Sequence, residues 1–316
     1  MQILRKPNKT KNYIATIAIG NSYLLEWERF CKIKWLNYCE KYDIGLIVFT
    51  DDLISKDHEK WKKPTWQKLL IGDNLNSNCI DANLVCYLDT DILISPLAEN
   101  IFEYYGGQNF GLVSKRKNLP FSLDFTLRRL AHLRHNYYSK NYPLDSSLFI
   151  ALNDLYLTHN LSPQKDEACM GVILFNAKLH SKIMKDWFYL YNRNISSITN
   201  GGDQTHLNYH IQNYANPEWL PYCFQAIWVY EMATYFPFLY YKNHESSNML
   251  IKECIEATLL RNSFLHFAGS WPESKMWKLE SEIKNSETEF DFINFIEYMQ
   301  TPVSGKPVGL ISSKDK

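Results

Sequence analysis

The sequence predicts an α/β protein, a mixed and mostly parallel sheet flanked by helices in a single large domain. Three observations predict it. The chain opens with a strand–helix–strand unit, the building block of a parallel sheet. Its later apolar runs are short and end abruptly at polar turns. One basic and aromatic stretch, residues 118–167, interrupts the alternation as an insert.

Residues 13–18 are β-branched and apolar and end at Gly20-Asn21-Ser22, a turn signal. Residues 23–42 read as one helix, with Leu24, Leu25, Phe30, Ile33, Leu36 and Tyr38 recurring at helical spacing. A second strand at 45–49 stops at Thr50-Asp51-Asp52. Residues 63–75 form a short helix led in by Pro64, which suits a first turn. The apolar run 82–88 is short enough for a buried strand and ends at Asp89-Thr90-Asp91, with Ile92–Ile94 following. Strand pattern resumes at 169–175, and a helix follows at 181–191. Gly201-Gly202-Asp203 is a turn before a helix at 204–214, and 264–267 is the last apolar run before Gly269.

The resulting organisation is a flexible arm at 1–12, a catalytic domain at 13–280, a C-terminal helix at 281–300 and a flexible tail at 301–316. The insert carries Phe121, Phe125, Tyr137, Tyr138 and Tyr142 beside Arg128, Arg129, Arg134 and Lys140. It is expected to form one side of a cleft, the side that accepts a ligand, with aromatic faces for rings and arginines for an anionic group. The competing reading packs Leu127, Leu130 and Leu133 on the sheet and leaves the arginines in water.

Lys+Arg and Asp+Glu are both 34 in 316 residues, and 46% of residues are apolar. That balance disfavours a nucleic-acid binder with a basic footprint and excludes disorder over most of the chain. The seven cysteines (Cys31, Cys39, Cys79, Cys86, Cys169, Cys223, Cys254) are odd in number and form no C-x-x-C. They read as reduced, buried thiols and predict a cytoplasmic location. No apolar run reaches the ~18 residues of a membrane span. The N-terminus has Arg5, Lys6, Lys9 and Lys11 without the apolar stretch of a signal peptide, so at most peripheral membrane contact is expected.

Three segments carry chemistry. Asp89 and Asp91 sit two residues apart at the carboxyl end of an apolar strand, where open α/β sheets bind ligands. Two like charges so close repel unless a cation lies between them. Carboxylates suit Mg²⁺ or Mn²⁺ completed by substrate phosphates, whereas the plainer reading makes one of them a turn cap. His266 closes the last strand before Gly269, with Lys275 and Trp277 beyond. It is either a core histidine or a neutral ligand for Mn²⁺. In Gly201-Gly202-Asp203-Gln204 the glycines allow close approach of a ligand, and Asp203 is either a helix cap or a reacting carboxylate.

In this order the three segments resemble the metal-dependent GT-A glycosyltransferases, most closely the family 8 type of retaining galactosyl- and glucosyltransferases. Tyr87-Leu88-Asp89-Thr90-Asp91 is similar to the family's Y-L-D-x-D, and Gly171-Val172-Ile173-Leu174-Phe175-Asn176 to its G-V-x-x-x-N strand. Gly202-Asp203-Gln204 through Asn208 is similar to its D-Q-x-x-L-N helix start, and His266-Phe267-Ala268-Gly269 to its H-x-x-G. The chain departs where Lys275 and Trp277 follow later than the family's K-P-W, with Met276 in place of proline. It also has Ile19-Gly20-Asn21 where the family carries an acidic pair.

The resemblance implies a metal-dependent hexosyltransferase that moves a sugar from a nucleotide-sugar donor, a UDP-sugar, to a glycan or other hydroxyl acceptor. It implies Asp89, Asp91 and His266 as metal ligands. Ala18, Ile19, Gly20, Tyr23, Lys68, Asp89, Thr90, Gly269 and Lys275 are the expected donor-binding residues. Asp203 and Gln204 are the expected catalytic residues: with retention either one lies on the sugar's far face, and with inversion Asp203 is the better base. A metal-dependent nucleotidyltransferase and a non-catalytic carbohydrate-binding protein on a transferase fold are the competing classes.

Overall fold

A computed structural model describes residues 1–137, 147–199, 202–240, 247–269 and 271–282. Chain contacts separate a compact unit, Met1–Ser281, from a second, Glu282–Lys316. All elements described below belong to the first, the last turn of its final 3-10 segment apart. The expected helix at 281–300 and tail at 301–316 lie outside the described residues beyond 282, as do Tyr138, Lys140, Tyr142 and Gly201.

The strands are β1 (Gln2–Arg5), β2 (Tyr13–Ile17), β3 (Gly45–Phe49), β4 (Leu84–Leu88), β5 (Ile92–Ile94), β6 (Gly111–Ser114), β7 (Ala168–Asn176), β8 (Glu218–Leu220), β9 (Ala226–Ile227) and β10 (Phe264–His266). The helices are α1 (Asn21–Phe30), α2 (Lys32–Lys41), α3 (Pro64–Gln67), α4 (Ile71–Ser77), α5 (Leu123–Tyr137), α6 (Leu152–Thr158), α7 (Ala177–Leu190), α8 (Ser196–Thr199), α9 (Gln204–Tyr214), α10 (Trp228–Tyr235) and α11 (Ser247–Arg261).

Seven strands form one sheet in the order β1-β3-β2-β4-β7-β6-β8, and a small sheet has the order β5-β10-β9. The large sheet is mixed and mostly parallel, as the sequence suggests. Strands β2–β3, β2–β4 and β6–β8 pair in parallel, whereas β1–β3, β4–β7 and β6–β7 are antiparallel, so β3, β2, β4, β6 and β8 share one direction. Only β1 and β7 run against them, and β7 follows the insert.

Alternate residues of the central strands feed two cores. Ile14, Leu46, Val48, Cys86, Leu88, Val172 and Leu174 face one side, where α1 and α2 pack. Ala15, Ile17, Ile47, Phe49, Val85, Tyr87 and Ile173 face the other, with Leu75 of α4, Phe188 of α7 and Leu207 of α9. Burial on both faces is why these strands read as continuous apolar runs.

Two expectations are corrected. The arm 1–12 is anchored rather than flexible. β1 pairs with β3, and the amides of Asn8, Lys9 and Thr10 donate to the Asp43 carboxylate at 2.8, 2.7 and 3.1 Å. The helix expected at 23–42 is two helices broken at Cys31, which is fully buried with its thiol directed at the Thr90 carbonyl oxygen, 3.4 Å away. All seven cysteines are free, and six of them are buried or half-buried. Among the described residues no helix is long and apolar enough to cross a membrane.

Candidate active site

The site forms where β4 ends. Asp89 and Asp91 flank the turn between β4 and β5, and Asp89 is held to the neighbouring strand by its amide, which donates to the Gly171 carbonyl at 2.9 Å. β5 pairs antiparallel with β10, with Ile92 opposite His266, and the Phe267 amide donates to the Asp91 carbonyl at 3.1 Å. Backbone ladders therefore bring His266 to the carboxylates across 175 residues of sequence separation from Asp91, counted from 266 and 91.

His266 Nε2 lies 3.2 Å from Asp91 Oδ1 and 3.7 Å from Asp89 Oδ2. One ligand atom from each of the three residues fits within a 4.8 Å span, and this is the one such cluster of His, Cys, Asp and Glu among the described residues. His266 is 2% exposed, so its Nε2 edge meets the carboxylates and not bulk water. Burial works against a charged imidazole, but the Cys169 and Asp91 partners outweigh it and hold the His266 proton well above its ordinary range. Gly171 is a second mark of the same design. A Cβ there would stand 2.2 Å from His266 Cε1 and 2.9 Å from Asp89 Oδ2. β7 can pass beneath the three residues only without a side chain. Two carboxylates and one imidazole, converging over a strand stripped of its Cβ, are a donor set suited to Mn²⁺ or Mg²⁺.

Lys68 is 2% exposed and enters from the other face. Its ammonium donates to the Met170 carbonyl at 2.7 Å and lies 3.2 Å from Asp203 Oδ2 and 3.8 Å from Asp89 Oδ1. Burial opposes the charge, yet Asp203 and Asp89 together push the lysine up from its usual range. Asp203 is itself pushed up, by burial first and by Asp89, with Lys68 opposing. Lys68 thus neutralises carboxylates behind the cluster, instead of standing free for a diphosphate as the sequence suggested. The Tyr87 hydroxyl donates to Asp89 Oδ1 at 2.5 Å and fixes that carboxylate from below.

Asp203 precedes α9 but its side chain makes no cap hydrogen bond, so the helix-cap alternative is set aside. Next to it, Gln204 Nε2 donates to Glu167 Oε1 at 2.6 Å. Glu167 is fully buried and also meets Lys115 Nζ at 2.6 Å and Arg116 Nε at 2.8 Å. A carboxylate flanked by two cations can only accept, so the amide nitrogen of Gln204 faces it and the amide oxygen is turned away from it. Sequence reasoning missed Glu167 and Lys115, because no local spacing links them to Gln204.

The structure also describes the other residues expected on the donor side. Ala18 is buried and donates its amide to Phe49 O at 2.8 Å, Ile19 is half-buried, and Gly20 takes φ +101°, which permits the sharp entry into α1. Tyr23 is exposed, Thr90 is half-buried, and Lys275 is exposed. Gly269 has φ +95° and lies against the Trp271 ring, where a Cβ would come within 2.8 Å. Two cavities of about 310 and 290 Å³, sharing Cys223, Arg261 and Asn262, lie at the start of β10 instead of at its His266 end.

The acceptor expectation for the insert does not survive for its central arginine. Arg134 is fully buried and its Nε donates to Glu273 Oε1 at 2.9 Å, with Leu130 and Leu133 also buried along α5. Arg128 is exposed beside Asp124 on its own helix, and Arg129 donates to the Thr234 carbonyl at 3.0 Å. The packing alternative holds for Leu130 and Leu133, but α5 lies against α10 and not the sheet, and Arg134 is buried where that reading left it in water.

No protein-family model matches the chain, and no curated protein matches it in sequence. Among solved structures it is similar to a glycosyltransferase involved in the glycosylation of the major capsid of PBCV-1. That match has 8% identity and a TM-score of 0.48, and covers 86% of this chain and 99% of the other. It is also similar to the galactosyltransferase LgtC in complex with donor and acceptor sugar analogs, with 12% identity, a TM-score of 0.45, and 88% and 99% coverage. A third is the bifunctional glycosyltransferase WbbM, with 13% identity and a TM-score of 0.44; the match covers 91% of this chain and 52% of WbbM.

Proposed function

We propose that this protein is a metal-dependent glycosyltransferase of GT-A type. It moves a hexose from a nucleotide-sugar, a UDP-sugar, to a hydroxyl of a glycan or glycoconjugate, with retention. The observation that carries this reading is the convergence of Asp89, Asp91 and His266 over Gly171 at the carboxyl end of β4. That edge is where an open α/β sheet receives its ligand.

Asp89, Asp91 and His266 would hold Mn²⁺ or Mg²⁺, which as a Lewis acid would neutralise charge on a departing diphosphate. The chain's own residues prepare the rest. Tyr87 and Lys68 hold Asp89 in its orientation. Lys68 also fixes Asp203, so the acidic cluster is locally balanced before any ligand arrives. Gln204, pinned through its nitrogen by Glu167, presents a neutral oxygen toward the sugar. A neutral, fixed dipole of that polarity favours positive charge developing at the anomeric carbon and takes no proton. The acceptor proton then passes to the leaving phosphate oxygen, the arrangement a retaining transfer needs. Ala18, Ile19, Gly20, Tyr23, Thr90, Gly269 and Lys275 form the surrounding donor wall, with Lys275 the exposed cation of the set.

The test is donor hydrolysis without acceptor. Purified protein with UDP-hexose and Mn²⁺ should release UDP and free hexose, and EDTA should abolish this. Asp91→Asn should reduce turnover about 10³-fold while folding normally, the scale on which removal of one preorganised charge-stabilising group is felt. Pyrophosphate release would instead indicate a nucleotidyltransferase, and no release with any nucleotide-sugar would indicate a binding protein.

A further inference from the structure

The second face of His266 is built as carefully as the first. Its Nδ1 lies 3.0 Å from the side-chain nitrogen of Gln225 and 3.6 Å from Cys169 Sγ. Gln225 is 1% exposed, and its side-chain oxygen Oε1 is buried with no hydrogen-bond partner among the described residues. An orphaned buried amide oxygen is costly, and it sits on the same group that faces an imidazole nitrogen.

The chemistry of the amide and the imidazole resolves this. A cation needs the neutral imidazole, and in that form the Gln225 NH₂ toward Nδ1 makes this nitrogen the acceptor, so the one ring hydrogen is on Nε2. That hydrogen then points at Asp91 and Asp89, and Nε2 cannot ligate a cation. Rotation of the amide by half a turn exchanges its oxygen and nitrogen in place. Oε1 then accepts from Nδ1–H and is no longer orphaned, and the Nε2 lone pair faces the carboxylates. Ligating histidines commonly donate their other N–H to a fixed acceptor in this way.

We infer that Gln225 is the positioning residue that makes His266 a metal ligand, its amide turning so that Oε1 holds the Nδ1–H tautomer when a cation occupies the site. This rests on the cation reading of the Asp89–Asp91–His266 cluster. Local structure supports a turning amide on a fixed backbone. Gln225 closes a 3-10 turn (Tyr222–Gln225), and β9, which follows at once, pairs in parallel with β10, with Ile227 beside His266. The Ile227 amide also donates to the Tyr222 hydroxyl at 3.0 Å. The main chain around Gln225 is thereby pinned on both sides, and the amide plane is the part that can move. Cys169 is the other neighbour of Nδ1, but sulfur accepts weakly and cannot hold the tautomer as an amide oxygen can.

Mn²⁺ binding by the full chain, titrated by calorimetry without any substrate, separates the two inferences. Wild-type protein that binds no Mn²⁺ overturns the cation reading itself. If wild type binds, Gln225→Leu should weaken binding about 10- to 100-fold. Gln225→Glu, whose oxygen faces Nδ1 in either orientation, should bind at least as tightly as wild type, and Cys169→Ala should change affinity less than about threefold. Equal Mn²⁺ affinity in wild type and Gln225→Leu, or equal weakening in Gln225→Leu and Gln225→Glu, overturns the role of Gln225. Imidazole ¹⁵N spectra give the second readout. On addition of diamagnetic Mg²⁺, wild type and Gln225→Glu should show His266 protonated at Nδ1; protonation at Nε2 in the loaded protein overturns the proposal even if Gln225→Leu fails to fold.

Discussion

Arg134 and Glu273 form an ion pair in which both side chains are wholly buried, joining α5 to the segment that follows the His266 loop. The Tyr240 hydroxyl donates to the same Glu273 oxygen at 2.9 Å, and the Trp271 ring lies against the guanidinium at 4.8 Å. Removing one partner of a buried pair strands the other charge. Arg134→Ala should therefore cost about 3–5 kcal/mol of stability, whereas exposed Arg128→Ala should stay within about 0.5 kcal/mol. Urea unfolding measures both. A stable Arg134→Ala protein that hydrolyses donor normally but fails to glycosylate would return this arginine to the acceptor site.

Gly171→Ala tests the space beneath the cluster. The added methyl must displace His266 or Asp89, because both lie within 3.0 Å of it. Donor hydrolysis should fall at least about 100-fold, as expected when groups at a reacting centre move by an ångström. Near-wild-type hydrolysis would show that His266 and Asp89 need not hold the positions described.

Glu167→Gln tests the grip on Gln204. The variant loses the acceptor-only carboxylate, so the Gln204 amide is no longer obliged to present its oxygen. Turnover should drop about 10- to 100-fold with little change in donor KM, because an interaction of the transition state is lost and ground-state binding is kept. Gln204→Ala should cost a similar factor, and the double variant no more than either alone, since the two act as one unit. Additive losses would separate the residues.

The α9 histidines set an acid limit. Burial, with the neighbouring histidines His159 and His210 adding to it, pushes His206 down from 6.5 to about 4, and burial pushes His210 down to about 4 as well. Both are neutral in the folded protein and would take protons more readily when unfolded. The stability they contribute is full above pH 6.5 and is lost as pH falls toward 4. At pH 5 the loss from His206 alone is about 2 kcal/mol. Melting temperature between pH 7 and 5 should fall less steeply in His206→Phe, which keeps the ring contacts to Trp66 and Tyr191. Parallel curves for the two proteins would place the acid sensitivity elsewhere.

The parts of the site legible in sequence are those where chemistry contradicts packing. Two aspartates ending an apolar strand, a histidine before a glycine, and Asp203-Gln204 after a glycine pair all stand out, and the structure brings His266 to Asp89 and Asp91 and links Asp89 to Asp203 through Lys68. Strand β3 and helix α9 also match the sequence reading residue for residue. What was missed depends on distant partners. Arg134 reads as a surface arginine because Glu273 is 139 positions away. Glu167 meets Gln204 only after β6 and β7 pair, and Gln225 meets His266 only through the β9–β10 ladder. Strands β8 and β9 are too short to show a period, and Cys31 breaks a helix through a contact with Thr90 that no local pattern records.

The cluster also joins two sheets that share no hydrogen-bonded strand. Asp89 belongs to the end of β4 in the large sheet, and His266 to the end of β10 in the small one. An ion held by both, as proposed, would be a rivet through the seam between them. Its fit would be set by a ladder of three residue pairs, Phe264 with Ile94, Leu265 with Leu93, and His266 with Ile92. A slip of one residue along that ladder would turn the imidazole to the opposite face of the strand. Substitutions at Leu93 or Leu265, which touch no ligand atom, would thus be felt first as a change in how tightly the seam closes on its ion.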